Sequence, residues 1–222
     1  MDKKAHCDIM KIKVARNGRV KMNKSIKYSS TIKTIPYLYL EMKKAARLKC
    51  QGISDDDIYK TAIEENLFQV NTDARKREIA STVIRRLKEL DDFLLDKLVN
   101  GSVETSKQIA LYALMKTDRL FSEFMSEVFR EKYILKDMVI TDKDFNIFFH
   151  RKCEQDATVA TWKEYTFYKL KQVYKRILFE SGFIKKQKKD IEIVRPVMEQ
   201  KVIDAIKKCG DKAYVEAMIG EI

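Results

Sequence analysis

Lysine and arginine side chains in the last third of the chain have the type and spacing of a phosphate-binding surface. A helix predicted over about residues 159–181 places them opposite its apolar face, and a lysine-rich loop follows at residues 185–189. Ammonium and guanidinium groups in this arrangement suit the phosphate oxygens of a nucleic-acid backbone. The predicted contacts are Lys163, Lys169, Lys171, Lys175, Arg176, Lys185, Lys186, Lys188 and Lys189.

A second group of basic residues lies near the N-terminus, where residues 9–23 are predicted to form a β-hairpin. Asn17-Gly18 is a strong turn signal, and a three-residue loop sets Val14 opposite Val20. That register gathers lysines on the other face of the hairpin. A disordered basic tail is the alternative, because an isolated hairpin is only marginally stable. The predicted nucleic-acid contacts in this segment are Lys11, Lys13, Arg16, Arg19 and Lys21.

The net charge of +12 is concentrated at the two ends of the chain. Residues 1–50 carry a net charge of +11, residues 51–161 carry −4, and residues 162–222 carry +5. Two basic surfaces that converge on one polyanion would produce this distribution. Basic ends that only increase solubility would produce it as well, but a pI near 9.4 favours nucleic-acid binding.

The sequence contains no recognisable catalytic, cofactor or metal motif. Its six glycines, no two closer than ten residues, exclude the dinucleotide fingerprint, the P-loop and the nucleophile elbow. Asp55–Asp57 could suggest a metal site, but Ser54 before them makes a capped helix start the better explanation. His150 and Cys153 could supply only half of a zinc site. We therefore expect no enzymatic activity, no cofactor and no small-molecule substrate.

Cysteine usage and hydropathy predict a soluble, cytoplasmic protein. The four cysteines are scattered and include no C-x-x-C pair, which is typical of reduced thiols in the cytosol. The longest run without a charged residue, Gln108 to Met115, has eight residues. A membrane-spanning helix needs about 20 apolar residues, so we expect no contact with a membrane.

Composition and periodicity predict a mainly α fold, a multi-helix bundle, because six glycines and two prolines are too few for an all-β protein rich in tight turns. We expect a basic extension over residues 1–27, a helical bundle over 28–135 and a C-terminal helical unit over 136–222. Six helices are predicted in the first 153 residues. The first has Pro36 in its first turn and runs to about Cys50, and the second is capped by Ser54. The others run from Asp73 to Val99, from Ser102 to Met115, from Thr117 to near Tyr133, and from Thr141, which forms a capping box with Asp144, to Cys153.

The C-terminal unit combines an amphipathic helix with a small hairpin. Its helix over about residues 159–181 has an apolar arc, and two short β-prone segments at 183–184 and 191–194 flank the lysine-rich loop. This order of elements is that of a winged helix-turn-helix, in which the second helix enters the major groove. A solvated helix face followed by an ordinary loop is the alternative. The apolar arc consists of Trp162, Thr166, Phe167, Leu170, Val173, Tyr174, Ile177 and Leu178, and Tyr165, Tyr168 and Gln172 lie opposite it.

Long stretches of the chain resemble one protein family. The stretches are YLYLEMKKAA, EENLFQVNTDARKREIASTVIRRLKEL, QIALYALMKTDRLFSEFMSEVFREKY, TDKDFNIFFHRKCEQ and ATWKEYTFYKLKQVYKRILFESGFI. They resemble the BrxA proteins of bacterial BREX phage-defence systems over roughly residues 28–220. The resemblance implies an all-helical fold similar to that of the NusB antitermination protein, no known enzymatic activity, DNA binding, and a defence operon shared with a methyltransferase and ATPases. Residues 1–27 resemble an extension before the usual start of the family.

Several functions remain open at the level of sequence. Double-stranded DNA binding through phosphate contacts is the first hypothesis. The second is an adaptor that docks other BREX proteins through Phe121, Phe124, Met125 and Phe129, although this helical spacing is more typical of a core. RNA binding, suggested by the likeness to NusB, is the third, and a nuclease is the most distant.

Overall fold

The computed structural model describes residues 26–185 and 191–220, and most of these residues are helical. This confirms the predicted mainly α fold. A 3-10 turn, Thr31–Lys33, precedes α1. The helices are α1 (Tyr39–Cys50), α2 (Asp55–Glu64), α3 (Asp73–Leu87), α4 (Asp92–Asn100), α5 (Val103–Thr117), α6 (Arg119–Phe124), α7 (Arg130–Ile134), α8 (Asp142–Gln155), α9 (Ala157–Ala160), α10 (Glu164–Glu180), α11 (Gln200–Lys208) and α12 (Lys212–Ile219). A π-helical turn, Met125–Phe129, joins α6 to α7 without a break.

Side-chain caps determine where several helices begin, as the sequence predicts. The Ser54 hydroxyl accepts a hydrogen bond from the Asp57 amide at 3.1 Å, so the three aspartates form the first turn of α2. Ser102 caps α5 in the same way. Thr141 and Asp144 form the predicted capping box at the start of α8.

Three predicted helix boundaries are wrong. The helix expected over residues 73–99 is two helices, because Asp91 caps a new start by accepting the Leu94 amide at 2.8 Å. The helix expected over about 159–181 is interrupted between α9 and α10. Pro36 is outside the first turn of α1, which begins at Tyr39 after Leu38 adopts a left-handed backbone with φ of 55°.

A small antiparallel sheet is formed by segments that precede α8 and follow α10 in the sequence. The predicted hairpin is confirmed, because Ile184 bridges Ile193 in antiparallel register. A further strand, which the sequence analysis missed, is β1 (Val139–Ile140), and it pairs with β2 (Ile191–Glu192). The returning segment of the hairpin therefore lies between β1 and Ile184. Residues 186–190, between Lys185 and β2 in the sequence, lie outside the described residues.

The buried apolar side chains form one connected core that extends from Tyr28 to Met218. An aromatic cluster around Phe124 joins α6, α8 and α10, with Phe124 and Phe145 stacked at 4.9 Å between ring centroids. The last two helices pack back on the N-terminal bundle: Tyr214 of α12 meets Tyr112 of α5 edge to face, and Lys97 of α4 pairs with Glu199 at 2.7 Å. The end of the predicted C-terminal unit thus shares its core with the N-terminal helices.

Within residues 26–185 and 191–220, no helix is both long and apolar enough to cross a membrane.

Candidate nucleic-acid interface

Helix α10 is amphipathic along its whole length, and its buried side is the apolar arc that the sequence predicts. Leu170, Tyr174, Ile177 and Leu178 are completely buried. Phe167, Val173 and Trp162 are partly buried against the same core. The opposite side of α10 is consequently left to solvent and is available for a ligand.

Two tyrosines and a lysine form the N-terminal part of this exposed face. Tyr165 and Tyr168 are 65% and 51% exposed, and their rings stack with 6.3 Å between centroids. The Lys169 ammonium group lies 5.2 Å from the centre of the Tyr165 ring. Exposed aromatic rings beside a cation are well suited to contact sugar or base edges. The sequence placed both tyrosines on this arc, but the predicted contacts included only the charged residues.

Two predicted DNA contacts, Lys171 and Lys175, are directed into the protein. The Lys175 side chain is 7% exposed, and its ammonium group pairs with Asp142 of α8 at 2.9 Å. Lys171 pairs with the other oxygen of Asp142 at 3.2 Å and is 16% exposed. Hydrogen bonds from Lys175, then Lys171, hold the pKa of Asp142 below its usual range although partial burial opposes this. The prediction that Lys175 belongs to the exposed arc is wrong, because it lies beside buried Tyr174 and fastens α10 to α8.

The other predicted basic residues of the described part are exposed. Lys163 is the N-cap of α10, and Lys169 follows within the helix. Arg176 pairs with Glu180 one turn later at 2.6 Å. Lys185, at the start of the hairpin loop, pairs with Glu192 across the hairpin at 3.2 Å, and both side chains remain about half exposed. The predicted contacts Lys186, Lys188, Lys189, Lys11, Lys13, Arg16, Arg19 and Lys21 lie outside the described residues, as do residues 9–23, for which the sequence predicts a hairpin.

A buried ionic network fastens this unit to the rest of the molecule. Lys152 of α8 is 2% exposed and contacts Glu123 at 2.6 Å and Glu127 at 2.7 Å. Glu123 also accepts hydrogen bonds from Arg119 at 2.9 Å and from the Tyr28 hydroxyl at 2.7 Å. Burial alone would raise the pKa of Glu123, but these hydrogen bonds, led by Lys152, lower it. The network therefore keeps Glu123 ionised and joins α8, α6 and the N-terminal segment.

The residues considered for an adaptor surface are part of the core. Phe121, Phe124, Met125 and Phe129 are all completely buried. This candidate surface is wrong, because the helix from α6 to α7 turns these side chains inward against α8 and α10.

The two residues considered as half of a zinc site have separate surroundings. His150 is exposed on α8 and lies 3.4 Å from Glu154. The Cys153 thiol is half-buried, and burial raises its pKa. Among the described residues, no group of three or more potential metal ligands occurs.

Comparisons with known proteins place the chain in a family. The BrxA family profile matches residues 26–210. A Bacillus cereus protein named "BREX protein BrxA" is 53% identical over 194 residues, which cover 87% of this chain and 97% of the relative. A Paramagnetospirillum magneticum protein of the same name is 26% identical over 65% of this chain and 72% of its own length.

A solved structure supports the same assignment at the level of the fold. The crystal structure of a protein from Magnetospirillum magneticum superposes with a TM-score of 0.75 and 21% identity, and covers 88% of this chain and all of the other. This likeness shows the fold. The profile match and the 53% identity, which extend over most of the sequence, show that the chain belongs to the BrxA family.

Proposed function

We propose that the chain is a non-enzymatic accessory protein of a BREX anti-phage defence system and that it binds double-stranded DNA mainly through phosphate contacts. Membership of the BrxA family and the names of its relatives support the role in a BREX system. The DNA-binding part of the proposal rests on the C-terminal unit.

One observation supports the DNA-binding proposal: the element order and sheet pairing from α6 to β2 resemble the arrangement that we expect of a winged helix-turn-helix. Helix α8 and helix α10 follow β1, and the strand that returns from the hairpin pairs with both β1 and Ile184. In such units the second helix lies in the major groove, and the hairpin, called the wing, lies on the neighbouring backbone. Here α10 would be the recognition helix.

The exposed face of α10 has the chemistry that this docking requires. Lys163 and Lys169 place positive charge near the start of the helix, where a recognition helix approaches the bases and phosphates most closely. Tyr165 and Tyr168 add flat surfaces and hydroxyl groups beside them. Lys185 lies at the beginning of the wing, and the sequence continues with three more lysines by residue 189. Contacts of this kind fix the position on the duplex more than they select its sequence.

The decisive experiment removes positive charge from the wing and the helix and measures duplex binding as a function of salt. The test variant replaces Lys169 and Lys185 with Glu. The control replaces Lys201 and Lys208 of α11 with Glu. These two lysines are also exposed, and the control changes the net charge by the same amount as the test variant. We expect the test variant alone to lose most of its affinity and to show a shallower dependence of log affinity on log salt. Each lost phosphate contact should reduce that slope by about 0.9.

Equal losses in both variants would mean that only net charge matters and would contradict the proposed interface. Duplex RNA serves as the second ligand in the same titrations. Tighter binding to RNA than to DNA of equal length would replace the DNA proposal with an RNA-binding function, since A-form RNA has a deep, narrow major groove that a helix cannot enter.

A further inference from the structure

A cavity of about 230 Å³ lies between the N-terminal segment, helix α3 and the junction of α5 with α6. None of the residues proposed to contact DNA lines it. Four of its lining residues are basic: Lys27, Arg85, Arg86 and Arg119. Ser29, Thr31, Thr82 and Thr117 also line the cavity.

Arg86 is the feature that distinguishes this cavity from an ordinary basic surface. Arg86 is only 3% exposed. Its guanidinium group donates hydrogen bonds to the Tyr37 carbonyl at 2.7 Å and to the Ile35 carbonyl at 3.5 Å. Its Nε finds no acceptor within the described residues. Burial lowers the pKa of Arg86 to about 10. A buried guanidinium group with an idle donor is costly unless a ligand supplies the missing acceptor.

The remaining charges leave the cavity with a positive excess. Arg119 stacks over the Tyr28 ring at 4.0 Å and pairs with Glu123, so its charge is largely balanced. Asp118 is the only acidic residue among the described lining residues, and it uses one oxygen to accept the Phe121 amide at 2.9 Å. Arg85 and Lys27 line the cavity and are exposed. The Asp118 carboxyl interacts electrostatically with Arg86 and Arg85, so one acidic group offsets only part of the positive charge of Lys27, Arg85 and Arg86.

We propose that this cavity binds a phosphate group. Guanidinium groups match phosphate oxygens in geometry as well as in charge. The cavity is smaller than the roughly 300–1,000 Å³ of pockets for drug-sized ligands, so it fits a phosphate ion or the phosphate end of a small ester. The phosphate can come from two sources, a free phosphorylated small molecule or the backbone of bound DNA.

The location of the cavity connects it to the proposed DNA interface. Thr31 lines the cavity and belongs to the 3-10 turn that packs against α10. A ligand in the cavity would therefore contact a turn that itself packs against α10, the helix that we propose to enter the major groove. The phosphate site itself does not depend on that proposal, because its residues and its test are separate.

Calorimetry on the full chain tests the site with inorganic phosphate and adenosine monophosphate as probes. We expect saturable binding of at least one probe, weakened about tenfold by Arg85→Ala, since a charge-assisted contact to phosphate is lost. Lys27→Ala provides a second variant at an exposed position. The matched control is Arg77→Ala, an exposed arginine two turns earlier on α3 that does not line the cavity.

Duplex titrations with the same variants distinguish the two sources. If Arg85→Ala weakens probe binding and leaves duplex affinity unchanged, the site takes a free phosphorylated ligand. If Arg85→Ala weakens duplex binding while Arg77→Ala does not, the site takes a backbone phosphate. The proposal is overturned if neither probe binds saturably and duplex affinity is insensitive to Arg85, or if Arg77→Ala has the same effect as Arg85→Ala. Either of these results would leave the outcome of the Lys169 and Lys185 charge reversal, which tests the proposed DNA interface, unchanged.

Discussion

At the scale of single residues, the most consequential side chain is Lys152, a buried cation held by two carboxylates. We expect Lys152→Met to lower the free energy of unfolding by about 3 kcal/mol, the lower end of the cost of breaking a buried ion pair. The loss is at the lower end because Glu123 keeps Arg119 and Tyr28 as partners. Urea unfolding measures it. Lys60→Met is the control, since the Lys60–Asp57 pair is solvent-exposed and should contribute almost nothing. Similar losses in both variants would contradict a special role for the network.

Asp118, which lines the proposed phosphate cavity, should make stability depend on pH. Burial raises its pKa to about 6, although its amide hydrogen bonds and Arg86 oppose the shift. An unfolded aspartate titrates near pH 3.9, so the native state binds more protons between about pH 4 and 6. The contribution of Asp118 to stability is therefore greatest below pH 4 and falls as the pH rises through 6. Relative to Asp118→Asn, which keeps a capping side chain, the wild-type chain should lose stability from pH 4 to pH 7 in urea unfolding. A constant difference would contradict the shift.

The residue scale also marks the limit of what the sequence could predict. Lys175 has the position of a polar-arc residue on a helical wheel, and only the approach of Asp142, 33 residues earlier, turns it inward. The phosphate cavity combines residues near positions 27, 86 and 118, and no local pattern relates those three segments. Hydrophobic periodicity, by contrast, is local, and it predicted the buried positions of α10 correctly.

At the scale of elements, capping residues were predictable and interruptions were not. The run from Asp73 to Val99 has continuous helical periodicity, and Asp91 and Asp92 give no signal that distinguishes a cap from a solvated pair. The buried Leu90 and the hydrogen bond from the Leu94 amide to Asp91 decide the break. Likewise, β1 is only two residues long and has no turn of its own, so its pairing depends on the hairpin that follows much later.

The cap of α4 supplies a prediction at this scale. Asp91→Ala should lower the free energy of unfolding by about 1 kcal/mol, because the Leu94 amide loses its acceptor at the helix start. Asp92→Ala, at the adjacent exposed position in the first turn, should have a smaller effect, since it removes only a favourable charge near the helix N-terminus. Chemical unfolding of the two variants compares them directly. A larger loss for Asp92→Ala would mean that α3 and α4 are not separated by this cap.

At the scale of the whole molecule, three kinds of contact join the N-terminal helices to the C-terminal part of the chain. The ionic network of Lys152 joins α8 to α6 and to Tyr28. Helix α12 packs on α5 through Tyr214 and Tyr112, and Tyr112 also donates a hydrogen bond to Asp211 at 2.5 Å. A single core extends through these contacts. Separating the chain into two units near residue 135 would therefore break buried contacts between them.

This connected core predicts one cooperative unfolding transition. Trp162 is the only tryptophan of the chain and lies just before α10, so its fluorescence reports the unfolding of the proposed DNA-binding unit. Far-UV circular dichroism reports the helices of the whole molecule. In urea, the two signals should give the same midpoint and the same slope, because coincident transitions are the signature of two-state behaviour. A fluorescence midpoint well below that of circular dichroism would show that α8 to β2 unfolds on its own. The buried network of Lys152 would then contribute too little to couple the two parts, and Lys152→Met should leave the circular dichroism midpoint unchanged.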